Sequence, residues 1–334
     1  MDFNLTGTTS TPSTPKPVKV LVLGAGPAGF SAALYAARAE LEPVVLTGME
    51  LGGQAALTNS IENYPGFPEG VGGAQLGELF QKQAERFGAR VEFDTASKVD
   101  LTQRPIQVST YNGEYLAETL IVATGATPIH LNVPGEVEKT GRGVSYCATC
   151  DGWFFREKKV VVVGGGDSAL EEGIFLTRYA SSVTIIHRRD TLRAGAVLQK
   201  RAFANPKISF IWNSVVTEVV GSDAVQSVKV KNVLSGEESL VQTDGLFIFI
   251  GHNPNTELFA GQLDLDGGGY IVTDPQMQTN IPGVFAAGEA ADSQYRQVVT
   301  SAGMGAAAAM QAIRFLEKNT VESSVVLDSE RSGQ

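Results

Sequence analysis

The two cysteines of this chain form a single Cys-x-x-Cys motif, Cys147-Ala148-Thr149-Cys150. Glycine-rich loops lie on both sides of it along the chain, Gly24–Gly29 before it and Gly164–Ala169 after it. A cysteine pair accepts two electrons as a disulfide, and a dinucleotide cofactor can carry those electrons. The order of the three motifs therefore predicts electron transfer from nucleotide cofactors to a disulfide.

The cysteine pair has three possible roles. A zinc site needs four ligands, and the chain adds only three dispersed histidines, His130, His187 and His252, so we predict no metal. An inert structural pair fits poorly between two cofactor loops, and in a cytosolic protein such a motif is more often catalytic or metal-binding than structural. We favour a redox-active disulfide.

Asp151 follows the second cysteine directly. A helix running from Asp151 through Phe155 would place both cysteines near its N-terminus and lower a thiol pKa. The Asp151 carboxyl could exchange a proton with a departing thiolate, and it could also cap the helix. Both roles are compatible, and we count Cys147, Cys150 and Asp151 as the catalytic candidates.

The first glycine loop joins a predicted strand, Val18–Leu23, to a predicted helix, Pro27–Ala39. In such a loop the first glycine permits the turn, the second lets the backbone approach a pyrophosphate, and the third lets helix and strand pack closely. The helix N-terminus favours the anion, and Pro27 suits its first turn. The residues predicted to bind a dinucleotide here are Gly24, Gly26, Pro27, Ala28 and Gly29.

The second loop repeats this pattern and adds positive charge. The predicted strand Ser182–Ile186 ends in His187-Arg188-Arg189, with Arg193 beyond. An NAD site usually has an acidic residue here, whereas arginines accommodate a 2′-phosphate, so the pattern indicates NADPH. The alternative is a solvated basic patch. The candidate residues are Gly164, Gly166, Asp167, Ser168, Ala169, His187, Arg188, Arg189 and Arg193.

Two units of this kind predict an α/β fold with two Rossmann-like domains, the second inserted into the first. Strands Tyr270–Thr273 and Val284–Ala287 and helix Val298–Leu316 are predicted to complete the first domain. The predicted boundaries are a disordered tail at 1–17, a discontinuous domain at 18–127 plus 252–318, an inserted domain carrying the cysteines at 128–251, and a mobile tail at 319–334.

Composition narrows the possible partners and the cellular location of the protein. The chain has 334 residues, a net charge of −10 and a pI near 4.9, which disfavours nucleic acid and anionic membranes as partners. Residues 1–17 lack the features of a targeting peptide, and no apolar stretch is long enough to span a bilayer. We therefore expect a cytoplasmic protein.

Several stretches of the chain resemble one family, the bacterial-type, low-molecular-weight, NADPH-dependent thioredoxin reductases. The resemblance extends from about Val18 to Leu316 and rests on GAGPAG, TGMELGGQ, ENYPGFPEG, VATGA, CATCDGWFF, GGGDSALEE, IHRRDTLRA, GHNPNT and YRQVVTSAGMG.

The resemblance implies FAD at the first loop, NADPH at the second, thioredoxin as the protein substrate, and a homodimer. It assigns Cys150 to the position next to the flavin, Cys147 to the reaction with thioredoxin, and Asp151 to the catalytic acid. It adds further candidate FAD contacts at Gln54, Asn63, Thr124, Gly125, Gly288, Glu289, Arg296, Gln297 and Val298. One position departs from the family pattern, because Glu289 replaces the usual aspartate of an Ala-Gly-Asp motif.

The function predicted from these features is thioredoxin-disulfide reduction, with electrons passing from NADPH through FAD to Cys147–Cys150 and then to thioredoxin. An alternative is a related flavoprotein disulfide reductase that uses ferredoxin or a dedicated thioredoxin-like partner. A remote alternative is a non-catalytic, nucleotide-binding redox sensor.

Overall fold

The computed structural model describes residues 14–49, 51–58 and 60–332, with side chains described up to residue 319. The chain divides into two compact units. The first comprises the described residues up to Ala56, Gly72–Ala126 and the described residues from Pro254 onward. The second comprises Leu57–Val71 and Thr127–Asn253.

The elements before the cysteine motif begin with strand and helix in alternation. They are β1 (Lys16–Leu23), α1 (Pro27–Arg38), β2 (Val44–Leu46), α2 (Gly73–Arg86), β3 (Arg90–Glu92), β4 (Ala96–Asp100), β5 (Ile106–Thr110), β6 (Glu114–Val122), β7 (Ala126–Pro128) and β8 (Val144–Ser145). A short 3₁₀ helix covers Gly53–Leu57.

The elements from the cysteine motif onward repeat the alternation once. They are α3 (Ala148–Asp151), β9 (Lys159–Val163), α4 (Asp167–Leu176), β10 (Ser182–Ile186), α5 (Ala196–Ala204), β11 (Ile208–Ile211), β12 (Ser214–Val220), β13 (Ser227–Asn232), β14 (Glu238–Gln242), β15 (Gly245–Ile248), β16 (His252–Pro254), β17 (Val284–Ala286) and α6 (Val298–Ser332). Three further 3₁₀ helices cover Gly152–Phe155, Glu257–Phe259 and Gly288–Ala290.

The first unit is built on a seven-stranded sheet in the order β3-β2-β1-β6-β5-β4, with β17 also paired to β6. Strands β3, β2, β1, β6 and β17 are parallel, and β4 and β5 extend the sheet antiparallel. The parallel strands are almost continuously apolar because both faces are covered. Helices α1 and α6 pack over one face, where Phe30, Val45 and Ala309 are buried.

The second unit has a five-stranded, all-parallel sheet in the order β11-β10-β9-β15-β8. A separate antiparallel sheet, β12-β13-β14, belongs to the same unit. Strands β7 and β16 pair with each other where the chain passes between the units. The predicted α/β fold class, with two Rossmann-like units, is confirmed.

Several predicted elements differ from the structure. The helix expected from Asp151 begins instead at Ala148, and Tyr270–Thr273 forms only an isolated bridge, Leu265 to Ile271, rather than a strand. The segment Leu57–Val71 belongs to the second unit, whereas the sequence assigned it to the first. Within this segment Ile61 and Val71 pair with each other, and its described residues form no ladder with the first sheet.

The two ends of the chain also differ from expectation. Strand β1 begins at Lys16, inside the predicted tail 1–17, and the first 13 residues lie outside the described ones. Helix α6 continues to Ser332 instead of ending near Leu316. No glycine or proline, the residues that most strongly interrupt a helix, lies between Leu316 and Ser332.

Candidate active site

The two cysteines are joined as a disulfide at the start of α3, with 5.3 Å between their Cα atoms. Cys147 is the N-cap residue, and its sulfur accepts a hydrogen bond from the Cys150 amide at 3.2 Å. Both cysteines are partly exposed. An amide aimed at the Cys147 sulfur would stabilise a thiolate there once the disulfide is reduced.

Asp151 lies at the last residue of α3 and is held by a hydroxyl. Ser145, at the end of β8, donates a hydrogen bond from Oγ to Asp151 Oδ2 at 2.6 Å. Burial raises the pKa of the Asp151 carboxyl, and the Ser145 hydrogen bond partly opposes that rise. A carboxyl that retains its proton to higher pH is suited to give that proton to a departing thiolate.

A carboxylate connects the cysteine helix to the helix of the second glycine loop. Glu172 of α4 accepts a hydrogen bond from the Ala148 amide through Oε2 at 3.1 Å. Ala148 is fully buried, and its amide belongs to the first turn of α3, which has no partner within the helix. The fingerprint helix therefore fixes the N-terminal end of the redox motif.

The first glycine loop is closed by tight backbone contacts. Gly24 has φ +110°, and a Cβ there would overlap the Ala123 carbonyl oxygen, while a Cβ on Gly29 would overlap the Gly24 carbonyl oxygen. Gly26 differs, because the nearest described atom to its Cβ position is Gly53 Cα at 4.0 Å. Open space thus remains in front of the second glycine, at the N-terminus of the 12-residue helix α1.

Segments distant in sequence converge on the start of α1. Gly288 (φ +68°) and Gly305 pack against Ala28, since a Cβ on Gly288 would lie 2.9 Å from Ala28 Cβ and one on Gly305 would overlap the Ala28 carbonyl oxygen. Gly53 packs against Gly26 and directly precedes Gln54, which is exposed. This convergence brings Gly24–Gly29, Gln54 and Gly288 into one region of the first unit.

The strand end beside the first loop is held by reciprocal hydrogen bonds between Thr124 and Asn255. Thr124 donates to the Asn255 carbonyl at 2.7 Å, and the Asn255 side-chain amide donates to the Thr124 carbonyl at 2.9 Å. Gly125 accepts from the Asn255 amide at 3.0 Å and has φ +70°. Asn63 is exposed in the segment that belongs to the second unit, so the structure does not place it in the unit of these candidates.

The stretch before α6 is organised by Asp292. Its carboxylate accepts backbone hydrogen bonds from Gln294 at 2.9 Å, Tyr295 at 2.8 Å and Arg296 at 3.0 Å. Arg296 has φ +49°, and the Gln297 side chain donates to the Arg296 carbonyl at 3.1 Å. Val298 then begins α6. The predicted contacts Arg296, Gln297 and Val298 are therefore presented in one defined conformation.

Glu289 lies in this region with an altered pKa. Burial raises the pKa of its carboxyl to about 7, the Arg296 charge opposes the rise and the Asp292 charge adds to it. The glutamate that replaces the usual aspartate is thus a half-buried acid beside Gly288.

The second glycine loop is closed by a side chain. Gly164 has φ +152° and approaches the Phe249 carbonyl, but a Cβ on Gly165 would overlap the His187 ring. His187 is buried and bonds through Nε2 to the Thr191 carbonyl at 3.1 Å. No described atom lies within 4 Å of the Cβ position of Gly166, so space remains at the N-terminus of α4 here too.

The three predicted arginines lie close to this loop. Burial lowers the pKa of His187, and the charges of Arg193, Arg188 and Arg189 lower it further. The Arg193 amide donates to the Gly165 carbonyl at 2.7 Å, and all three arginines are exposed. Positive charge therefore lies near the His187 ring that packs over this loop, and the residues that directly follow β10 are basic and not acidic.

The first turn of α4 contains the remaining candidates. Asp167 accepts from the Gly195 amide at 2.7 Å through Oδ1, which fixes the segment after Arg193. Ser168 is exposed, and Ala169 is buried with its Cβ 2.6 Å from the Cβ position of Gly164. Asp167 therefore orders the loop, and both Asp167 and Ser168 are exposed to solvent at this turn.

Both loops fit the phosphates of a dinucleotide. Each has a glycine N-cap with space for an anion at the N-terminus of a helix of at least ten residues, and the second loop adds guanidinium groups. Gly24, Gly26 and Gly29, together with Gly288, would hold a dinucleotide in the first unit. Gly164, Gly166 and the three arginines would hold one with a 2′-phosphate in the second.

Three side chains that organise these regions were not among the predicted residues. Ser145 holds Asp151, Asp292 holds the stretch before α6, and Glu172 holds the redox helix. Only Asp292 has a local signal, because an aspartate that precedes Ser-Gln-Tyr favours a turn through its own carboxylate. The Ala148 amide that Glu172 binds is 24 positions away along the chain, beyond the range of sequence patterns.

The fold and the redox motif define a class of protein. The family model described as pyridine nucleotide-disulphide oxidoreductase matches residues 18–305, and the chain belongs to this family. It is therefore an oxidoreductase, and its family implies the use of a flavin and a nicotinamide nucleotide.

The relatives are more specific than the family. The chain is 53% identical over 305 residues to a thioredoxin reductase of Rickettsia bellii, covering 90% of this chain and 98% of the relative. It is 50% identical over 300 residues to a thioredoxin reductase of Streptomyces coelicolor, covering 89% and 93%. The crystal structure of thioredoxin reductase from Streptococcus pyogenes matches with a TM-score of 0.87 at 43% identity, covering 91% of this chain and all of that one.

Among residues 14–49, 51–58 and 60–332, no helix combines the length and the apolar character that a membrane crossing requires.

Proposed function

We propose that this chain is an NADPH-dependent thioredoxin-disulfide reductase that uses FAD. The observation that carries the proposal is the disulfide Cys147–Cys150 at the start of α3, joined through Glu172 to the helix of an arginine-flanked glycine loop. The similarity to thioredoxin reductases over about nine-tenths of the chain supports the same function.

The two units would divide the cofactors between them. The first would bind FAD through the loop Gly24–Gly29 and the residues gathered at the start of α1. The second, most of which lies between β7 and β16 along the chain, would bind NADPH through Gly164–Ala169 and the arginines after β10. FAD, when bound, would supply the two-electron connection between the nicotinamide and the disulfide. We also propose a homodimer in the cytoplasm, from the family resemblance.

The protein's own residues would perform the second half of the reaction. In the reduced enzyme, the Cys147 thiolate attacks one sulfur of oxidised thioredoxin, which forms a mixed disulfide and releases one thioredoxin thiolate. The Cys150 thiolate then attacks Cys147 Sγ, which restores the Cys147–Cys150 disulfide and releases the second thioredoxin thiolate. Two electrons leave the enzyme dithiol, and thioredoxin gains two electrons and two protons.

Asp151 would donate and take back a proton during this exchange. Burial raises the pKa of its carboxyl, so more of it retains a proton at a given pH than in an exposed aspartate. The protonated carboxyl can donate to a thiolate as it departs, and the carboxylate can take the proton back. Ser145 would keep the carboxyl in place during this exchange.

Exchange of each cysteine tests the proposal. The holoenzyme should oxidise NADPH when oxidised thioredoxin is added, and Cys147→Ser and Cys150→Ser should each abolish thioredoxin reduction while FAD stays bound. Cys150→Ser should form a stable mixed disulfide, through Cys147, with a single-cysteine thioredoxin activated by a small aromatic thiol.

Two results would contradict the proposal. Trapping by Cys147→Ser but not by Cys150→Ser would reverse the roles of the cysteines. Failure of the wild-type holoenzyme to reduce any of a panel of host thioredoxins, while it still reduces a generic aromatic disulfide with NADPH, would favour a different protein partner.

A further inference from the structure

Ser145 occupies an unusual position beside the redox motif. It is buried, with 4% of its surface exposed, and it ends the edge strand β8. Its hydroxyl lies 2.6 Å from Asp151 Oδ2, 3.2 Å from the Cys147 carbonyl oxygen and 3.1 Å from the Cys147 amide nitrogen. One hydroxyl therefore touches both the candidate acid and the backbone of the candidate nucleophile.

The chemistry of a hydroxyl decides how these contacts are used. Ser145 has one hydrogen to donate, and the carboxyl oxygen at 2.6 Å is the nearer of its two acceptors. Its oxygen meanwhile accepts from the Cys147 amide. The hydroxyl is thus oriented by Cys147 and aimed at Asp151.

A second hydroxyl in the same unit shows what is particular to Ser145. Thr243 is equally buried, at 4%, and its hydroxyl also contacts the residue two positions on, accepting from the Gly245 amide at 3.3 Å and lying 2.8 Å from the Gly245 carbonyl. Its third contact is the Lys159 carbonyl at 3.0 Å, not a carboxyl. The backbone clamp is common to both residues, and the bond to an acid distinguishes Ser145.

We propose that Ser145 is a positioning residue, whose hydroxyl holds the Asp151 carboxyl in one orientation beside Cys147–Cys150 so that it can exchange a proton with the cysteines. This inference rests on the proposed function. A carboxyl that could rotate would lose the fixed geometry that proton transfer in a transition state requires.

Ser145 is the side chain whose hydrogen bond affects the pKa of the Asp151 carboxyl. Burial raises the pKa of the carboxyl, and the Ser145 hydrogen bond lowers it. The other titratable groups near α3 have separate partners: Glu172 of α4 binds the Ala148 amide, and Arg156 and Tyr179 both contact the Trp153 ring. Loss of the Ser145 hydroxyl should therefore raise the pKa of Asp151 further.

The test compares Ser145→Ala with Asp151→Asn, the double variant and the matched control Thr243→Val, all as FAD-loaded enzyme. Two quantities are measured: kcat and KM for thioredoxin across pH, and titration of the Asp151 carboxyl by infrared difference spectroscopy, assigned by its loss in Asp151→Asn. A second pair of variants, Ser145→Thr and Ser145→Val, has side chains of nearly equal shape that differ only in the hydroxyl. This pair replaces Ser145→Ala in the test if the alanine variant folds poorly.

Ser145→Ala should lower kcat by about tenfold with KM for thioredoxin unchanged, and should move the carboxyl titration to higher pH. The threonine variant should titrate like wild type, the valine variant like the alanine variant, and Thr243→Val should behave as wild type. In the Asp151→Asn background, Ser145→Ala should have little further effect on kcat.

Three results would overturn the inference: an unchanged carboxyl titration in both Ser145→Ala and Ser145→Val, a full loss of kcat on adding Ser145→Ala to Asp151→Asn, or full thioredoxin reduction by Asp151→Asn alone. In the last case the carboxyl would have nothing to contribute for Ser145 to position. A failure of the proposed function looks different, because the wild-type holoenzyme itself would then not reduce thioredoxin with NADPH.

Discussion

The two glycine loops share one backbone plan. Each first glycine donates to the last residue of the second strand, Gly24 to Leu46 at 2.8 Å and Gly164 to Ile186 at 3.2 Å. In each loop, the carbonyl of the residue after the first glycine accepts a hydrogen bond from an amide beyond the second strand. Ala25 accepts from Gly52 at 3.0 Å, and Gly165 accepts from Arg193 at 2.7 Å.

The loops differ in what closes them. In the first loop, Gly29 packs directly against the Gly24 carbonyl, so the contact that closes the loop is made by backbone atoms. The second loop has Ala169 at the matching position. The second is closed by the His187 ring over Gly165, where the first has Ala25. The same plan thus tolerates different residues, and we expect the side chains after the second strand to decide which dinucleotide each loop binds.

The largest expected effect concerns the third glycine. Gly29→Ala should destabilise the apo-protein by about 3 kcal/mol or more, because the added Cβ would overlap the Gly24 carbonyl. The reverse change in the other loop, Ala169→Gly, should cost only about 1–2 kcal/mol, from lost burial and helix propensity. Urea unfolding measures both.

Gly26→Ala is the matched control for that experiment. Its Cβ would meet open space and its φ is −81°, so unfolding should change by about 1 kcal/mol or less while FAD retention falls. Equal losses of stability for Gly26→Ala and Gly29→Ala would show that crowding does not separate the two positions.

The next effect tests the closure by His187. Gly165→Ala should destabilise the protein by about 2 kcal/mol because its Cβ would overlap the His187 ring. Combining it with His187→Ala should give a loss smaller than the sum of the two single losses, since the second change removes the clash. Strictly additive losses in a double-mutant cycle would mean that the ring does not close the loop.

The arginines should separate the two coenzymes. Replacing Arg188 or Arg189 with glutamine should weaken NADPH binding by about tenfold each, because charge-assisted hydrogen bonds to a 2′-phosphate are lost. NADH binding should change little. Dissociation constants from quenching of protein fluorescence provide the measurement, and equal losses for NADPH and NADH would mark these arginines as structural.

The smallest effect concerns Glu289 in the first unit. Its pKa of about 7 in the folded protein exceeds the ordinary 4.5, so its stabilising contribution is present below about pH 4.5 and is lost as pH rises through 7. Glu289→Gln, which stays neutral, should remove this loss and stabilise the apo-protein at about pH 8 by about 1–2 kcal/mol, after allowance for solvent screening.

Urea unfolding of wild type and Glu289→Gln at about pH 5 and about pH 8 measures that difference. The two proteins should be nearly equal at the lower pH and diverge at the higher one. A constant difference across the range would place the effect in packing and not in ionisation.

Much of the architecture was predictable from local patterns. Strand Ser182–Ile186 has the predicted bounds, because a short apolar run that follows a glycine loop and a helix favours a buried parallel strand. Asn112-Gly113, a residue pair that favours tight hairpin turns, connects the antiparallel strands β5 and β6, with the Thr110 amide bonded to the Gly113 carbonyl at 2.8 Å. The roles assigned to the candidate cofactor residues remain predictions.

The amino-acid sequence by itself was sufficient to locate the glycine loops, several of the strands, the basic segment after β10 and the cysteine pair at the start of a helix. All of these depend on residue types within a few positions of one another. Only the tertiary structure decided that Ser145 holds Asp151, that Glu172 binds Ala148, and that Gly305 packs on Ala28. These contacts join side chains and backbone from separate elements, and packing brings such groups within bonding distance only after the elements have assembled.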